Sequence, residues 1–248
     1  MQQIAKPSFW TPVRDFALFV RRPSIGPSPL TVPSAYRAMG VLFPFKYLLS
    51  FAVVFASTLM VAAVNRGLAE VVSYAPWLMV LLVVGVAPLI EEVAFRLPLR
   101  PRPLWLGLSA AVFSYYILTR GYYGVGNFEL RTALVPRLLI PLALGLLIGF
   151  LSHWFSRRSR CLSGAEELHG RRLTFVVYAQ ALLFGFVHIF NYDMPLEEQL
   201  LLWPIVVFPQ LLDGFVYGFM RCRYGFSRGL VMHMINNAIG ILPTLLLS

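Results

Sequence analysis

Six polar residues of the kinds that hydrolyse amide bonds stand inside or beside long apolar segments: Glu91, Glu92, Arg96, His188, His233 and Asn237. Ionisable groups inside a membrane are costly, so each of them is a functional hypothesis by default. Glu92 and Arg96 are four residues apart and can pair on one helix face, whereas Glu91 points about 100° away from that partner. His233 and Asn237 are also four residues apart. Such a set supplies a carboxylate base for water, and imidazole and amide donors for an oxyanion.

Each of these groups also has a purely structural interpretation. The Glu92–Arg96 pair could close the cytoplasmic end of a helix, with the arginine reaching the interface. A single histidine in a membrane helix is more often an interhelical hydrogen-bonding partner than a catalyst. Gly214 and Gly218 have the GxxxG spacing of closely packed helices, and Asp213 could tether two helices. The catalytic interpretation therefore depends on the whole set.

The elements that must position this set are membrane helices. Of the 248 residues, 58% are hydrophobic and only 13% are charged, whereas soluble domains carry about a quarter of charged residues. Seven segments are long and apolar enough to cross a hydrocarbon core, which takes about 17–25 helical residues. They are Tyr47–Asn65, Val71–Phe95, Pro103–Thr119, Leu138–Ser156, Leu173–Tyr192, Gln199–Met220 and Gly229–Leu247. We predict an all-α polytopic membrane bundle of about seven transmembrane helices with a central polar cavity.

The distribution of basic residues predicts the orientation of this bundle. With the N-terminus in the cytoplasm, 17 of the 21 Lys and Arg residues lie on the cytoplasmic side. Such a bias is the positive-inside pattern, and it predicts a cytoplasmic N-terminus and an external C-terminus after seven crossings. A nucleic-acid partner is not expected despite the net charge of +10, because no folded soluble module displays the basic residues.

The first 45 residues differ from the rest of the chain. They are rich in proline and mix Phe9, Trp10 and Phe16 with basic residues such as Arg14. The pattern fits an amphipathic segment on the inner leaflet, and equally a loosely ordered tail. We therefore divide the chain into a cytoplasmic or interfacial segment, residues 1–45, and a membrane-embedded domain, residues 46–248.

Three short motifs link the polar residues to a known family. EEVAFR (Glu91–Arg96), FGFVH (Phe184–His188) and HMINN (His233–Asn237) match, in this order, EExxxR, FxxxH and HxxxN. With these motifs in apolar helices, the chain resembles the CPBP family, the CAAX-protease and bacteriocin-processing membrane proteases, also called Abi. The type II CAAX prenyl endopeptidase is a eukaryotic relative of that family. Leu97 follows the motif arginine where family members usually have glycine, and two extra helices separate the first two motifs.

The resemblance implies an intramembrane endopeptidase and assigns a role to each motif residue. Glu91, assisted by His188, would activate a water molecule, and His233 and Asn237 would stabilise the oxyanion. Glu92 and Arg96 would orient the site. Cofactors are left open: either none is required, or a divalent metal such as zinc is bound by Glu91, His188 and His233. The sequence lacks HExxH, the familiar zinc-binding helix motif, so a metal-free, glutamate-activated water fits equally well.

The proposed chemistry makes a geometric demand. Counting 1.5 Å per residue, Glu91 and His188 can meet in the inner half of the membrane, in a cavity open to the cytoplasm. A separation of more than about 10 Å would remove the mechanism.

Three functions remain open at this stage. The first is cleavage of a membrane-associated or lipid-linked peptide, with the lipid bilayer and a peptide or protein substrate as partners. The second is a non-catalytic scaffold or immunity protein that retains the protease fold. The third is a transporter, for which no repeated hydropathy halves are visible. We expect an integral, multi-pass protein of a bacterial inner membrane; the substrate and the oligomeric state do not follow from the sequence.

Overall fold

A computed structural model describes residues 8–26, 34–56, 64–65, 75–158, 168–193 and 196–247, and this part of the chain is almost entirely helical. Its helices are α1 (Thr11–Arg21), α2 (Ala35–Ala56), α3 (Pro76–Leu99), α4 (Pro103–Tyr116), α5 (Leu134–Arg158), α6 (Gly170–Val187), α7 (Leu196–Val206), α8 (Phe208–Tyr224) and α9 (Phe226–Leu247). Two residues of β1 (Val64–Asn65) pair antiparallel with two of β2 (Tyr192–Asp193).

Several helices depart locally from α-helical geometry. Helix α3 contains a π-helical turn at Leu81–Val86 and ends in a 3₁₀ turn at Leu97–Leu99. A second π-helical turn, Ile117–Tyr122, continues α4, and a 3₁₀ turn, His188–Asn191, continues α6. π-Helical turns inside α-helices often occur at functional sites. The turn in α3 lies directly before the Glu91 segment.

The predicted all-helical membrane architecture is confirmed at the level of the fold class. Helix is described in each of the seven predicted spans. Two helices, Pro76–Leu99 and Leu134–Arg158, are by themselves long and apolar enough to cross a membrane. The number of seven crossings stays a prediction.

Two boundaries differ from the predicted ones. Helix α2 begins at Ala35, within the segment assigned to the interface, because Ala38 and Leu42 of its first turns are fully buried in the core. The predicted sixth span is two helices, α7 and α8, with the break at Val207. Pro209 lies in the first turn of α8, where its missing N–H costs nothing and where it disfavours a helical residue before it.

The core of the bundle is built around α8. Its residues Val216, Tyr217, Phe219 and Met220 are fully buried, and the helix packs mainly against α6, α9 and α2. Burying a side chain of this size contributes about 1.5–3 kcal/mol. Helix α8 is therefore the central element that the motif-bearing helices pack around.

Glycine permits the closest helix contacts. A Cβ atom at Gly214 of α8 would lie 2.8 Å from the Cα atom of Ala181 in α6, which is inside van der Waals contact. The predicted packing role of the GxxxG segment is thus confirmed at Gly214. Helices α4 and α5 approach in the same way, since a Cβ atom at Gly107 would lie 2.7 Å from the carbonyl oxygen of Gly145.

The outer face of α5 carries large apolar side chains with little cover. Leu139, Leu146 and Phe150 are each about 60% exposed or more. Monomeric soluble proteins rarely expose contiguous apolar surface of this kind. The face matches what a bilayer would cover.

Candidate active site

Three helices bring five of the six predicted residues together, and the sixth, Asn237, lies one helical turn after His233 on α9. Helix α3 carries Glu91, Glu92 and Arg96; His188 is the first residue after α6; and α9 carries His233 and Asn237. Histidine–carboxylate distances of 3.1–3.9 Å link α3, α6 and α9. Helix packing thus brings together groups that are far apart in the sequence.

Glu92, Arg96 and His233 form a buried charged group. The predicted pairing of Glu92 with Arg96 is confirmed, with 3.4 Å between Oε1 and Nε and both side chains completely inaccessible. His233 Nδ1 lies 3.1 Å from the same carboxylate oxygen. The Arg96 guanidinium also lies 4.2 Å from the centre of the Phe184 ring, a cation–π contact that partly replaces lost hydration. The group joins α3, α6 and α9.

Glu91 points away from Arg96 and towards both histidines. Its Oε2 atom lies 3.5 Å from His233 Nε2 and 3.9 Å from His188 Nε2. This oxygen is buried and has no hydrogen-bond partner among the described residues. At a separation of more than about 3.5 Å, a water molecule and not a direct hydrogen bond can link two polar groups. The distance to His188 is well inside the limit of about 10 Å that the proposed chemistry demands.

The hydrogen bond of His188 determines which of its ring nitrogens can react. Nδ1 lies 2.6 Å from the carbonyl oxygen of Phe184, one helical turn earlier. A carbonyl oxygen only accepts, so Nδ1 must carry the proton and donate it. In the neutral ring Nε2 then holds a lone pair, and this is the atom that faces Glu91. The FxxxH spacing thus fixes the tautomer through the backbone of its first residue.

Asn237 connects α9 to the π-helical turn of α3. Its Nδ2 atom donates to the carbonyl oxygen of Val83 at 2.9 Å, and Val83 lies within that turn. A π-helical turn leaves backbone groups without their usual partners, and the Asn237 amide satisfies one of them. An amide group has two N–H donors, so one remains for an oxyanion.

A second polar cluster joins α2, α8 and α9. Lys46 of α2 pairs with Asp213 of α8 at 2.5 Å and also donates to the Oδ1 atom of Asn236. Tyr217 stacks on the His233 ring with 4.4 Å between ring centres and 22° between planes. The sequence argument singled out Asp213 but missed Lys46, Asn236 and Tyr217. Lys46 had a signal: it is a lone charge at the edge of an apolar run.

An apolar cavity of about 780 Å³ lies between α3, α4 and α5, along the part of α3 that ends at Ile90, the residue before Glu91. Leu82, Val86 and Ile90 line it from one face of α3, and Tyr116 lines it from α4. The volume is within the range of small-molecule and peptide pockets. The lining of this cavity is mainly apolar, so the predicted central polar cavity stays a prediction.

The loop that closes one side of this cavity is held by Arg137. This fully buried arginine donates to the carbonyl oxygens of Glu129 and Thr132 and to the Thr119 hydroxyl. The backbone N–H of Thr132 donates to the Glu129 carboxylate, which lowers the pKa of Glu129, and Arg137 lowers it further. Arg137 thus anchors the loop that supplies Phe128 to the cavity wall.

The residue types that could bind a metal are present, but the described structure does not group them as a metal site. Glu91, His188 and His233 offer one carboxylate and two imidazoles, ligands that zinc accepts. Among the described residues, however, no three His, Cys, Asp or Glu side chains are grouped so that they could hold a metal ion.

Comparison with known proteins gives one result. The family described as type II CAAX prenyl endopeptidase Rce1-like matches residues 73–239, which is more than half of the chain and includes all six predicted site residues. No curated protein and no solved structure matches the chain significantly.

Proposed function

The chain belongs to the Rce1-like family of type II CAAX prenyl endopeptidases, and from this premise we propose that it is an intramembrane endopeptidase that uses Glu91 as the base for a water molecule. The observation that carries the proposal is the position of Glu91. Its buried Oε2 atom, which has no hydrogen-bond partner among the described residues, faces His188 Nε2 and His233 Nε2. A water molecule bridging Glu91 and His188 has an acceptor for its proton and a fixed orientation.

The reaction follows from the roles of these atoms. Glu91 takes a proton from the water, while His188 Nε2 accepts a hydrogen bond from the second O–H and orients the attack. The hydroxide forms a bond to the scissile carbonyl carbon, and negative charge develops on the carbonyl oxygen. When the C–N bond breaks, Glu91 returns its proton to the departing amine. One water molecule and one peptide bond become a carboxylic acid and an amine, which at neutral pH are a carboxylate and an ammonium group.

His233 and Asn237 stabilise the developing oxyanion in this proposal. His233 lies between the two carboxylates, and its Nε2 atom would donate to the oxyanion when it carries a proton. The second N–H of the Asn237 amide, the one that is not donated to Val83, would be the other donor. Loss of one oxyanion donor typically lowers kcat by about 10²–10³-fold.

Glu92 and Arg96 act as positioning residues. The Glu92 carboxylate contacts the Arg96 guanidinium at 3.4 Å and His233 Nδ1 at 3.1 Å. This paired, buried group holds the His233 ring in place, because a charge without a partner is expensive at this depth. Glu92 therefore orients His233, while the reacting water contacts Glu91.

The cellular setting is part of the proposal. The protein would lie in a bacterial inner membrane with its N-terminus in the cytoplasm, and its substrate would be a membrane-associated or lipid-linked peptide. A farnesylated peptide ending in a CAAX sequence is the first probe, because the family description names this class.

Mass spectrometry of the purified protein with this probe tests the proposal. We expect one new peptide pair from wild type, and losses of at least about 10³-fold for Glu91→Gln and about 10²-fold for His188→Ala. Cleavage that survives both substitutions would refute the assigned mechanism. A metal analysis of the same sample separates zinc chemistry from metal-free chemistry, and a folded wild type that cleaves no member of a peptide panel would favour the scaffold function.

A further inference from the structure

Lys46 is the one lysine of α2 and one of only two lysines in the chain. It lies outside residues 73–239, the part that matches the family. Its side chain is nevertheless 4% exposed and packs against α8 and α9. A buried lysine in a membrane helix is costly and needs partners, so its position calls for a functional or structural reason.

The partners of Lys46 fix the orientation of an amide group. An ammonium group only donates hydrogen bonds, and it contacts Asn236 through Oδ1. The Nδ2 atom of Asn236 is thereby turned the other way, towards Asp213 Oδ2 at 3.4 Å and Asn237 Oδ1 at 3.4 Å. Tyr47 also donates to Asn236 Oδ1 at 2.8 Å, but a hydroxyl can accept as readily as donate and so does not fix the orientation.

The orientation is passed on to Asn237. Because Asn236 Nδ2 approaches the Oδ1 atom of Asn237, the Nδ2 atom of Asn237 faces the opposite direction. That direction is towards the carbonyl oxygen of Val83 in the π-helical turn of α3, the turn that precedes the Glu91 segment. If the Asn236 amide turned over, its oxygen would meet the Asn237 oxygen, and the Asn237 amide would turn as well. The Asn237 oxygen would then face the Val83 carbonyl in place of an N–H donor, and the amide would offer an oxyanion no N–H on that side.

We propose that Lys46 is a positioning residue for the reaction: through Asn236 it sets the donor orientation of Asn237. The inference rests on the proposed function, in which Asn237 stabilises the oxyanion. It also assigns a role to helix α2, which supplies a residue to a site otherwise built from α3, α6 and α9.

A structural ion pair between Lys46 and Asp213 is the competing explanation. In that case, removing both charges together would leave the site unaffected, because no uncompensated charge remains. The double variant Lys46→Met/Asp213→Leu is therefore more informative than Lys46→Met alone, which leaves the Asp213 carboxylate buried without its cation and can impair folding. Lys6→Met, at the only other lysine, is the matched control.

The first readout does not depend on activity. The chain has five asparagines, at positions 65, 127, 191, 236 and 237, so ¹⁵N labelling of asparagine side chains gives five amide signals in NMR spectra of the protein in micelles. In the double variant, we expect the signals of Asn236 and Asn237 to shift and to exchange faster with solvent, with the other three unchanged. Unchanged signals for Asn236 and Asn237 would overturn the inference, whatever the protein cleaves.

The second readout is kinetic and uses the farnesylated CAAX peptide. We expect the double variant to lower kcat by at least about tenfold while KM stays within about twofold, since an oxyanion donor acts in the transition state. In an Asn237→Ala background the same double substitution should change kcat by less than about twofold, because residues that act as a unit are not additive. An equal loss in both backgrounds would show that Lys46 does not act through Asn237. If wild type fails to cleave, or Glu91→Gln cleaves as fast, the proposed function fails and the amide signals still decide the role of Lys46.

Discussion

The adjacent carboxylates Glu91 and Glu92 are expected to respond differently to the same substitution, one in activity and the other in stability. Glu92 is completely inaccessible and is the counter-ion of the equally inaccessible Arg96. The Glu91 side chain is 17% exposed and has no hydrogen-bond partner at Oε2 among the described residues. Replacement of either glutamate by glutamine keeps the shape and removes one negative charge. We therefore expect Glu92→Gln to affect stability and Glu91→Gln to affect chemistry.

The magnitudes follow from burial. Breaking a buried ion pair by removing one partner costs about 3–5 kcal/mol, and Arg96 pairs with no other carboxylate among the described residues. Glu92→Gln should thus lower the free energy of unfolding by about 3 kcal/mol or more. Glu91→Gln should change it by less than about 1 kcal/mol while abolishing cleavage.

Unfolding by titration with SDS in mixed micelles measures both variants on one scale. Glu92→Gln/Arg96→Met is the control, because removing both partners of a buried pair is often nearly neutral and should restore most of the lost stability. Equal stability of Glu91→Gln and Glu92→Gln would refute the assignment of Glu92 as the structural carboxylate. So would a double variant less stable than Glu92→Gln alone.

Further predictions concern packing, the cavity loop, metal dependence and topology. Gly214→Ala should destabilise the protein by about 1–3 kcal/mol, because the new Cβ would meet the backbone of Ala181 at 2.8 Å. The control Gly240→Ala, at a glycine with open space around it, should leave the SDS midpoint unchanged or slightly higher. Equal effects of the two substitutions would contradict the close packing at Gly214. Arg137→Met should release the cavity loop and make it a site of limited proteolysis from the external face; an unchanged digestion pattern would contradict its anchoring role. Treatment with phenanthroline should leave the cleavage rate unchanged, and a loss that zinc restores would make a metal part of the mechanism. A reporter fused after Ser248 should be external, and a cytoplasmic signal would overturn the seven-crossing topology.

Local spacing in the sequence predicted the local geometry of the site. The i,i+4 relation of Glu92 and Arg96 corresponds to a contact of 3.4 Å, and Glu91 points elsewhere, as a 100° step per residue requires. Three short motifs were also enough to indicate the family, which the match over residues 73–239 confirms. These features depend on helical periodicity and on residue type alone.

Long-range contacts could not be predicted in the same way. Lys46 and Asp213 are 167 positions apart, and nothing in the spacing of either residue indicates that α2 packs beside α8. The π-helical turn before Glu91 and the break at Val207 depend on which backbone groups find partners in the folded bundle. Tertiary packing decides such details, so the second polar cluster was visible only in the structure.

The cleavage rate of the farnesylated CAAX peptide under single-turnover conditions, for wild type and Glu91→Gln, tests the central claim most directly. Both proteins should have the same SDS unfolding midpoint, so any difference in rate belongs to the chemistry. We expect Glu91→Gln to be slower by at least about 10³-fold with unchanged binding of the peptide. Cleavage by Glu91→Gln at the wild-type rate would contradict the role of Glu91 as the base for water.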